Sequence, residues 1–275
     1  MSKYKIITLS DSNYFDCGKL FLDTRNVVRD HDIVLYGPDL TDKQIKTLKN
    51  YNIEYIKVDK HKWDTQMQFM KFDMCINEIE KDINNQYQGF LLIDWDVFFV
   101  NDWKHLYEYD FDLCITIRPD EIKKRIIRAY GCGGGFFFKN TAKELFEYAK
   151  KVILNGGDDN VKEYDRIWKT LEVGRPPHKT IKRNQLRWWI DQCFISSIVL
   201  RFLEEQKYNQ KFGITPVFYV FNNYKIAFVS EKNYNAIRSN AVVKKEKNVF
   251  IRHLQYHGRK QLVGEKKAKI QEKLS

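Results

Sequence analysis

One stretch constrains this chain more than any other: Gly89-Phe-Leu-Leu-Ile-Asp94-Trp95-Asp96-Val-Phe-Phe-Val100. Apart from its two carboxylates it is apolar for nearly its whole length, the pattern of a strand buried on both faces. Side chains alternate faces along a strand, so on one continuous strand Asp94 and Asp96 project the same way, one pleat apart. Two adjacent like charges repel, and burying either without a partner costs several kcal/mol or forces protonation. Exposure at the strand end removes that conflict, and so does a bound cation. A hard divalent ion accepts carboxylate oxygens, which makes this Asp-x-Asp a candidate metal site. A solvated strand end is the plain alternative.

The rest of the composition sets limits. With 275 residues, 43% of them hydrophobic, the chain can bury a full core and does not read as disordered. No apolar run approaches the roughly 20 residues of a membrane helix, and Met1-Ser2-Lys3-Tyr4-Lys5 leads straight into an expected strand, with no signal-peptide pattern. The five cysteines (Cys17, Cys75, Cys114, Cys132, Cys193) have no metal-ligand spacing and are odd in number. Reduced thiols and a cytoplasmic location follow. A formal net charge of +11 calls for an anionic partner such as a nucleotide's phosphates, a membrane surface or nucleic acid. Much of the excess lies in 162–187 and after Arg252. A base bias in the coding sequence also yields lysine-rich chains.

Strand–helix alternation runs through the N-terminal part. Lys5–Leu9, Ile33–Tyr36 and Ile53–Val58 read as strands, and Thr41 with Gln44 forms a capping-box pattern between the last two. A helix is expected over 66–83, with Met67, Met70, Met74, Ile79 and Ile83 near helical spacing. This order implies a parallel, doubly wound sheet, in which ligands sit outside the carboxyl ends of the strands. The loop after the first strand (Asp11, Tyr14) and the end of the Asp94–Asp96 strand then face one crevice. Further on, Leu113–Ile117 reads as a strand, and three glycines at Gly133–Gly135 precede Phe136–Phe138. Such glycines allow backbone to approach a ligand, or simply make a turn. Thr141 with Glu144 is a second capping-box pattern, opening a helix to about Leu154. Residues 155–187 lose periodicity, and Trp188-Trp189 lead into a helix with Asp191-Gln192 in its first turn. That carboxylate serves capping and catalysis equally well. Strands are expected over 215–221 and 225–229. The last, 248–260, carries His253 and His257 four residues apart, a same-face spacing, beside Arg259 and Lys260.

Together these segments resemble the GT-A-fold glycosyltransferases, and within them the glycogenin-like family 8. Thr8-Leu-Ser-Asp11-Ser-Asn-Tyr14 is similar to that family's nucleotide-binding start, where the tyrosine stacks on uracil and the aspartate contacts the base. Asp94-Trp95-Asp96 matches its Asp-x-Asp, which holds Mn²⁺ on the nucleotide diphosphate. Lys71 falls where the family carries a basic residue facing the donor. The glycine strand, with Gly134 and Gly135, resembles its sugar-binding strand, and Asp191-Gln192 its Asp-Gln. His253, Gly258 and Lys260 resemble its terminal His-x-x-Gly-x-x-Lys, in which the histidine is the third metal ligand and the lysine touches phosphate. Three features depart from the family: no asparagine precedes the glycine strand, the His253-to-Gly258 interval is longer, and no Pro-Trp follows. Ile251-Arg252-His253 also resembles the metal-histidine strand of inverting β-1,4-galactosyltransferases.

The resemblance implies a GT-A, Rossmann-like α/β fold, a mixed and mainly parallel sheet flanked by helices. One catalytic domain would span 1–258, with 155–187 as an acceptor-side insert, followed by a basic tail over 259–275. It implies transfer of a hexosyl unit from a UDP-sugar to a glycan, lipid-linked or protein acceptor, with retention favoured. Mn²⁺ or Mg²⁺ would be held by Asp94, Asp96 and His253. Asp11, Tyr14, Lys71, Asp94, Gly134, Gly135, His257, Arg259 and Lys260 would face the donor, Asp191 and Gln192 the reacting sugar. Trp188 and Trp189 would serve the acceptor. The basic charge adds a peripheral contact with an anionic membrane, and no nucleic acid is expected, because the cations are not interleaved with aromatics in a recognisable module. Two other classes compete. Ile93-Asp94-Trp95-Asp96-Val97 also fits the nucleophile strand of a haloacid-dehalogenase-like phosphatase, although three strand units precede it here. The charge alone would suit a nucleic-acid-binding protein.

Overall fold

A computed structural model of the chain describes residues 4–123, 131–155, 190–238 and 248–254. Eight strands form one sheet in the order β3-β2-β1-β4-β7-β6-β9-β8: β1 Tyr4–Leu9, β2 His31–Gly37, β3 Ile53–Lys57, β4 Gly89–Ile93, β6 Leu113–Ile117, β7 Gly131–Phe138, β8 Val217–Phe221 and β9 Tyr224–Ser230. Neighbours pair in parallel from β3 through β4 and again for β6 and β9. Strand β7 runs antiparallel to both β4 and β6, and β8 antiparallel to β9. A smaller sheet, β10-β11-β5, joins Ala236–Arg238, Ile251–Leu254 and Val97–Phe99. The architecture is thus the expected mixed, mainly parallel α/β sheet flanked by helices.

Strand alternation divides the apolar residues between two cores. Ile7, Leu9, Phe90, Leu92, Phe136 and Phe138 face the helices Lys60–Lys81, Lys143–Asn155 and Ile190–Glu205. On the opposite face Ile6, Leu91, Ile93 and Phe137 pack with Phe15, Phe21, Trp95, Trp103 and Leu48. Glu78, fully buried, ties the first layer to the sheet by gathering Lys5 of β1, Tyr36 of β2 and Lys81. Burial pushes its carboxyl up, but the three donors outweigh that and hold it below the usual range. Among the described residues no helix is long and apolar enough to cross a membrane.

Several elements differ from expectation. The stretch 89–100 is two strands in two sheets, with Asp94, Trp95 and Asp96 as the turn between them. The helix before it starts earlier, at Lys60, because Asp59 caps the Lys62 N–H, and it stops at Lys81, leaving Ile83 outside it and 85% exposed. The Thr41–Gln44 box is present with both of its reciprocal bonds. The Thr141–Glu144 box is not: Asn140–Ala142 form a 3-10 turn, and the Thr141 hydroxyl goes to the Asp112 carboxylate instead. The three glycines lie within β7, not before it.

His31, at the start of β2, is 2% exposed, stacks on Tyr4 and packs at a tilt against Trp103, 5.2 Å from each ring. Burial, with Lys104 and Arg25 nearby, pulls it from 6.5 down to about 4 against the opposing effect of Asp102 and Asp30. The unfolded chain therefore binds a proton on His31 at higher pH than the folded one. The stabilisation is complete above about pH 6.5 and is lost as pH falls towards 4, on the order of 3 kcal/mol in all. His31→Phe keeps the ring stack and should flatten the urea-derived stability profile over that window. A variant profile parallel to the wild type would show that His31 contributes none of the slope.

Candidate active site

The site begins with Trp95. Its ring is wholly buried between Phe15 and Phe21, and its Nε1–H donates to the Phe15 carbonyl at 2.8 Å. Gly18 lies so close beneath it that a Cβ there would sit 2.0 Å from the indole. An apolar anchor of this size fixes the residues on either side of it, and those are Asp94 and Asp96. It also packs the segment after β1 against the Asp-Trp-Asp turn, at the carboxyl end of β4.

The turn hands the chain to β5, and β5 pairs antiparallel with β11, His253 opposite Val97. The Leu254 N–H donates to the Asp96 carbonyl at 3.0 Å. This ladder brings His253 Nε2 to 3.2 Å from Asp96 Oδ1 and 3.8 Å from Asp94 Oδ2. Asp96 is 1% exposed, while Asp94 and His253 keep some contact with solvent. Lys71, buried on the Lys60–Lys81 helix, places Nζ 3.2 Å from Asp94 Oδ1. One oxygen of Asp94 is thus engaged by the lysine while the other faces the imidazole.

One donor atom from each of Asp94, Asp96 and His253 falls within 4.8 Å of the others. Oxygen ligands lie roughly 2.0–2.6 Å from a hard divalent ion, so two ligands of one ion stand no more than about 5 Å apart. The spacing and the donor set, two carboxylates and an imidazole, therefore fit such an ion. Mn²⁺ and Mg²⁺ suit this donor set better than a thiol-preferring metal.

The structure also describes several other residues singled out in the sequence. Asp11 Oδ1 accepts the Tyr14 N–H at 2.7 Å, so this aspartate shapes the loop that carries the tyrosine. Tyr14 is partly buried against the second core. Strand β7 pairs Gly135 with Ile93 and, running from Gly131, extends beyond the last residue of β4 with Gly134 in it. The helix carrying Asp191 and Gln192 presses Ile195 onto Gly131, where a Cβ would meet the Ile195 side chain at 2.4 Å. The side chains of Asp191 and Gln192 lie outside the described residues, as do Trp188, Trp189, His257, Arg259, Lys260 and most of the irregular 155–187 segment. Sequence reasoning missed the anchoring role of Trp95 and the contacts of Ser12 described below; neither has a periodicity that reveals it.

No family model matches the chain, and no curated protein matches it. Solved structures do. An active-site mutant of LgtC aligns over 95% of both chains with 11% identity and a TM-score of 0.49. The galactosyltransferase LgtC in complex with donor and acceptor sugar analogs aligns over 94% of both, again at 11% identity, with a TM-score of 0.46.

Proposed function

We propose that this chain is a metal-dependent glycosyltransferase of GT-A type that takes a hexosyl unit from a UDP-sugar. The observation carrying the proposal is the convergence of Asp94, Asp96 and His253 on one small space, reached from two sheets and beside the loop after β1. That loop and the Asp-Trp-Asp turn lie at the carboxyl ends of parallel strands, where open α/β sheets place ligands.

In this reading Asp94, Asp96 and His253 would hold Mn²⁺ or Mg²⁺, which supplies Lewis-acid stabilisation to a departing diphosphate. Lys71 orients Asp94, and the Asp11–Tyr14 loop receives the base. The bond between the sugar's anomeric carbon and the diphosphate oxygen breaks, with its electron pair leaving on UDP. An acceptor oxygen bonds to that carbon, and its proton passes to the departing diphosphate. Asp191 and Gln192 would face the reacting sugar, His257, Arg259 and Lys260 the phosphates, and Trp188 and Trp189 the acceptor. Retention, and a glycan, lipid-linked or protein acceptor, are the outcomes the family resemblance implies.

A thermal-shift screen of sugar nucleotides with and without Mn²⁺ tests the function. UDP-sugars should raise Tm by several degrees at concentrations far above Kd, and only when the ion is present. If no sugar nucleotide stabilises the Mn²⁺-treated protein, the proposal fails. Gly135 gives a sharper check on the sugar. A Cβ there would meet nothing nearer than 3.5 Å, ordinary van der Waals contact, so the fold accommodates Gly135→Ala. If the donor sugar lies over this strand, the methyl should cut hydrolysis of UDP-sugar at least tenfold while Tm stays near wild type. Unchanged kinetics would move the sugar elsewhere.

A further inference from the structure

The residue between Asp11 and Asn13 is held by both of its backbone groups, and each is held by a side chain from another part of the chain. The Ser12 N–H donates to Asp39 Oδ1 at 2.9 Å, from the segment following β2. The Ser12 carbonyl accepts Gln44 Nε2–H at 2.8 Å. Asp39 is itself fixed, since Lys60 Nζ donates to its other oxygen at 2.9 Å. Burial pushes the Asp39 carboxyl up, and the Ser12 amide and Lys60 outweigh it, so that it sits below the usual range and stays ionised at neutral pH.

Gln44 does two jobs at once. Its Oε1 accepts the Thr41 N–H at 2.9 Å and so closes the capping box of the Asp42–Asn50 helix. Its amide nitrogen is then turned outward to Ser12. A capping box needs only the acceptor oxygen, and glutamate fills that position as well as glutamine does. The donor half of the amide is therefore available for a second role.

We propose that Gln44 and Asp39 are positioning residues for nucleotide binding: they pin Ser12, and through it the Asp11–Tyr14 turn, in the conformation that receives the base. This inference rests on the nucleotide-sugar reading above. Neither residue need touch the ligand. Their contribution is to remove loop freedom that binding would otherwise have to suppress, the ordinary route by which preorganisation raises affinity.

Gln44→Glu separates capping from positioning. It keeps the acceptor for Thr41 and a favourable carboxylate in the first helical turn, but it loses the donor to Ser12 and sets a negative charge against that carbonyl. Calorimetric titration with UDP at saturating Mn²⁺, and with Mn²⁺ alone, reads the effect on the full chain. Gln44→Glu and Asp39→Ala should each raise the UDP Kd by about 3- to 10-fold, the range for one lost hydrogen bond. Mn²⁺ affinity should not change, and Gln44→Glu should melt within about 2 °C of wild type. Wild-type UDP affinity in Gln44→Glu and Asp39→Ala, alongside a weakened Tyr14→Ala, would overturn the inference and leave the nucleotide reading standing. Normal UDP binding in Tyr14→Ala as well would mean that the base does not sit at this loop, and both would fall. A parallel loss of UDP affinity, Mn²⁺ affinity and Tm in Gln44→Glu would reduce the residue to a helix cap and would also overturn it.

Discussion

Asp96→Asn and Asp94→Asn are each expected to lower UDP-sugar hydrolysis by about 10³-fold or more, the several kcal/mol that a divalent ion contributes to a leaving group's developing charge. The two should differ in what they do to the metal-free protein. Asp96 is 1% exposed, shares the site with a second carboxylate and lies 3.2 Å from His253 Nε2, a contact the asparagine amide can keep, so removing its charge chiefly relieves a repulsion between like groups. Asp96→Asn should therefore fold at least as stably as wild type, as expected where function holds a site under electrostatic strain. Asp94 is different, because Lys71 is 4% exposed with its ammonium 3.2 Å from Asp94 Oδ1. Taking the charge from one partner of a buried pair is costly. Asp94 keeps 27% exposure of its side chain, so the loss should be moderated to about 1–2 kcal/mol. Hydrolysis assays with and without EDTA, paired with urea titrations of the metal-free variants, measure both quantities. Wild-type rates in either variant, or full activity in EDTA, would remove these residues from the chemistry.

How much of this was legible depended on the range of the interaction. Local signals did well. Leu113–Ile117 occurs with the bounds its apolar run suggested, and Thr41 with Gln44 caps a helix through contacts three residues apart. Long-range handovers did not show. Every residue of Gly89–Val100 other than Asp94 and Asp96 is compatible with one buried strand, and nothing in its period says that Val97–Phe99 belongs to a second sheet. The aspartates themselves were the available clue, because Asp favours turns over strand interiors. The direction of β7 is silent for the same reason: Phe136–Phe138 is equally buried running either way. His253 is 157 positions beyond Asp96, and no spacing rule links the two. Only the family resemblance suggested their meeting, and the β5–β11 pairing is the physical reason for it. The Thr141 box failed because Asn140–Ala142 already form a 3-10 turn, so Thr141 lies inside a helical turn and not at an extended N-cap position, with its hydroxyl donating to the Asp112 carboxylate.

The largest expected loss of stability in this site belongs to the residue between the two aspartates. Trp95→Ala removes a fully buried indole that packs on Phe15 and Phe21 and fills the space over Gly18. A cavity of that size should cost about 3–5 kcal/mol, read as a fall in the urea midpoint. Trp95→Phe keeps an aromatic ring but gives up the 2.8 Å bond to the Phe15 carbonyl, so about 1–2 kcal/mol is expected there. The functional effect should follow the same order. Asp94 and Asp96 hold their positions because the side chain between them is fixed, and loosening it costs the alignment that a metal site needs. The Mn²⁺ concentration for half-maximal ligand-induced stabilisation should therefore rise more in Trp95→Ala than in Trp95→Phe, even at temperatures where both are fully folded. If Trp95→Ala lost stability while keeping wild-type Mn²⁺ dependence, the indole would be a core residue alone, and the turn would take its shape from the β5–β11 ladder.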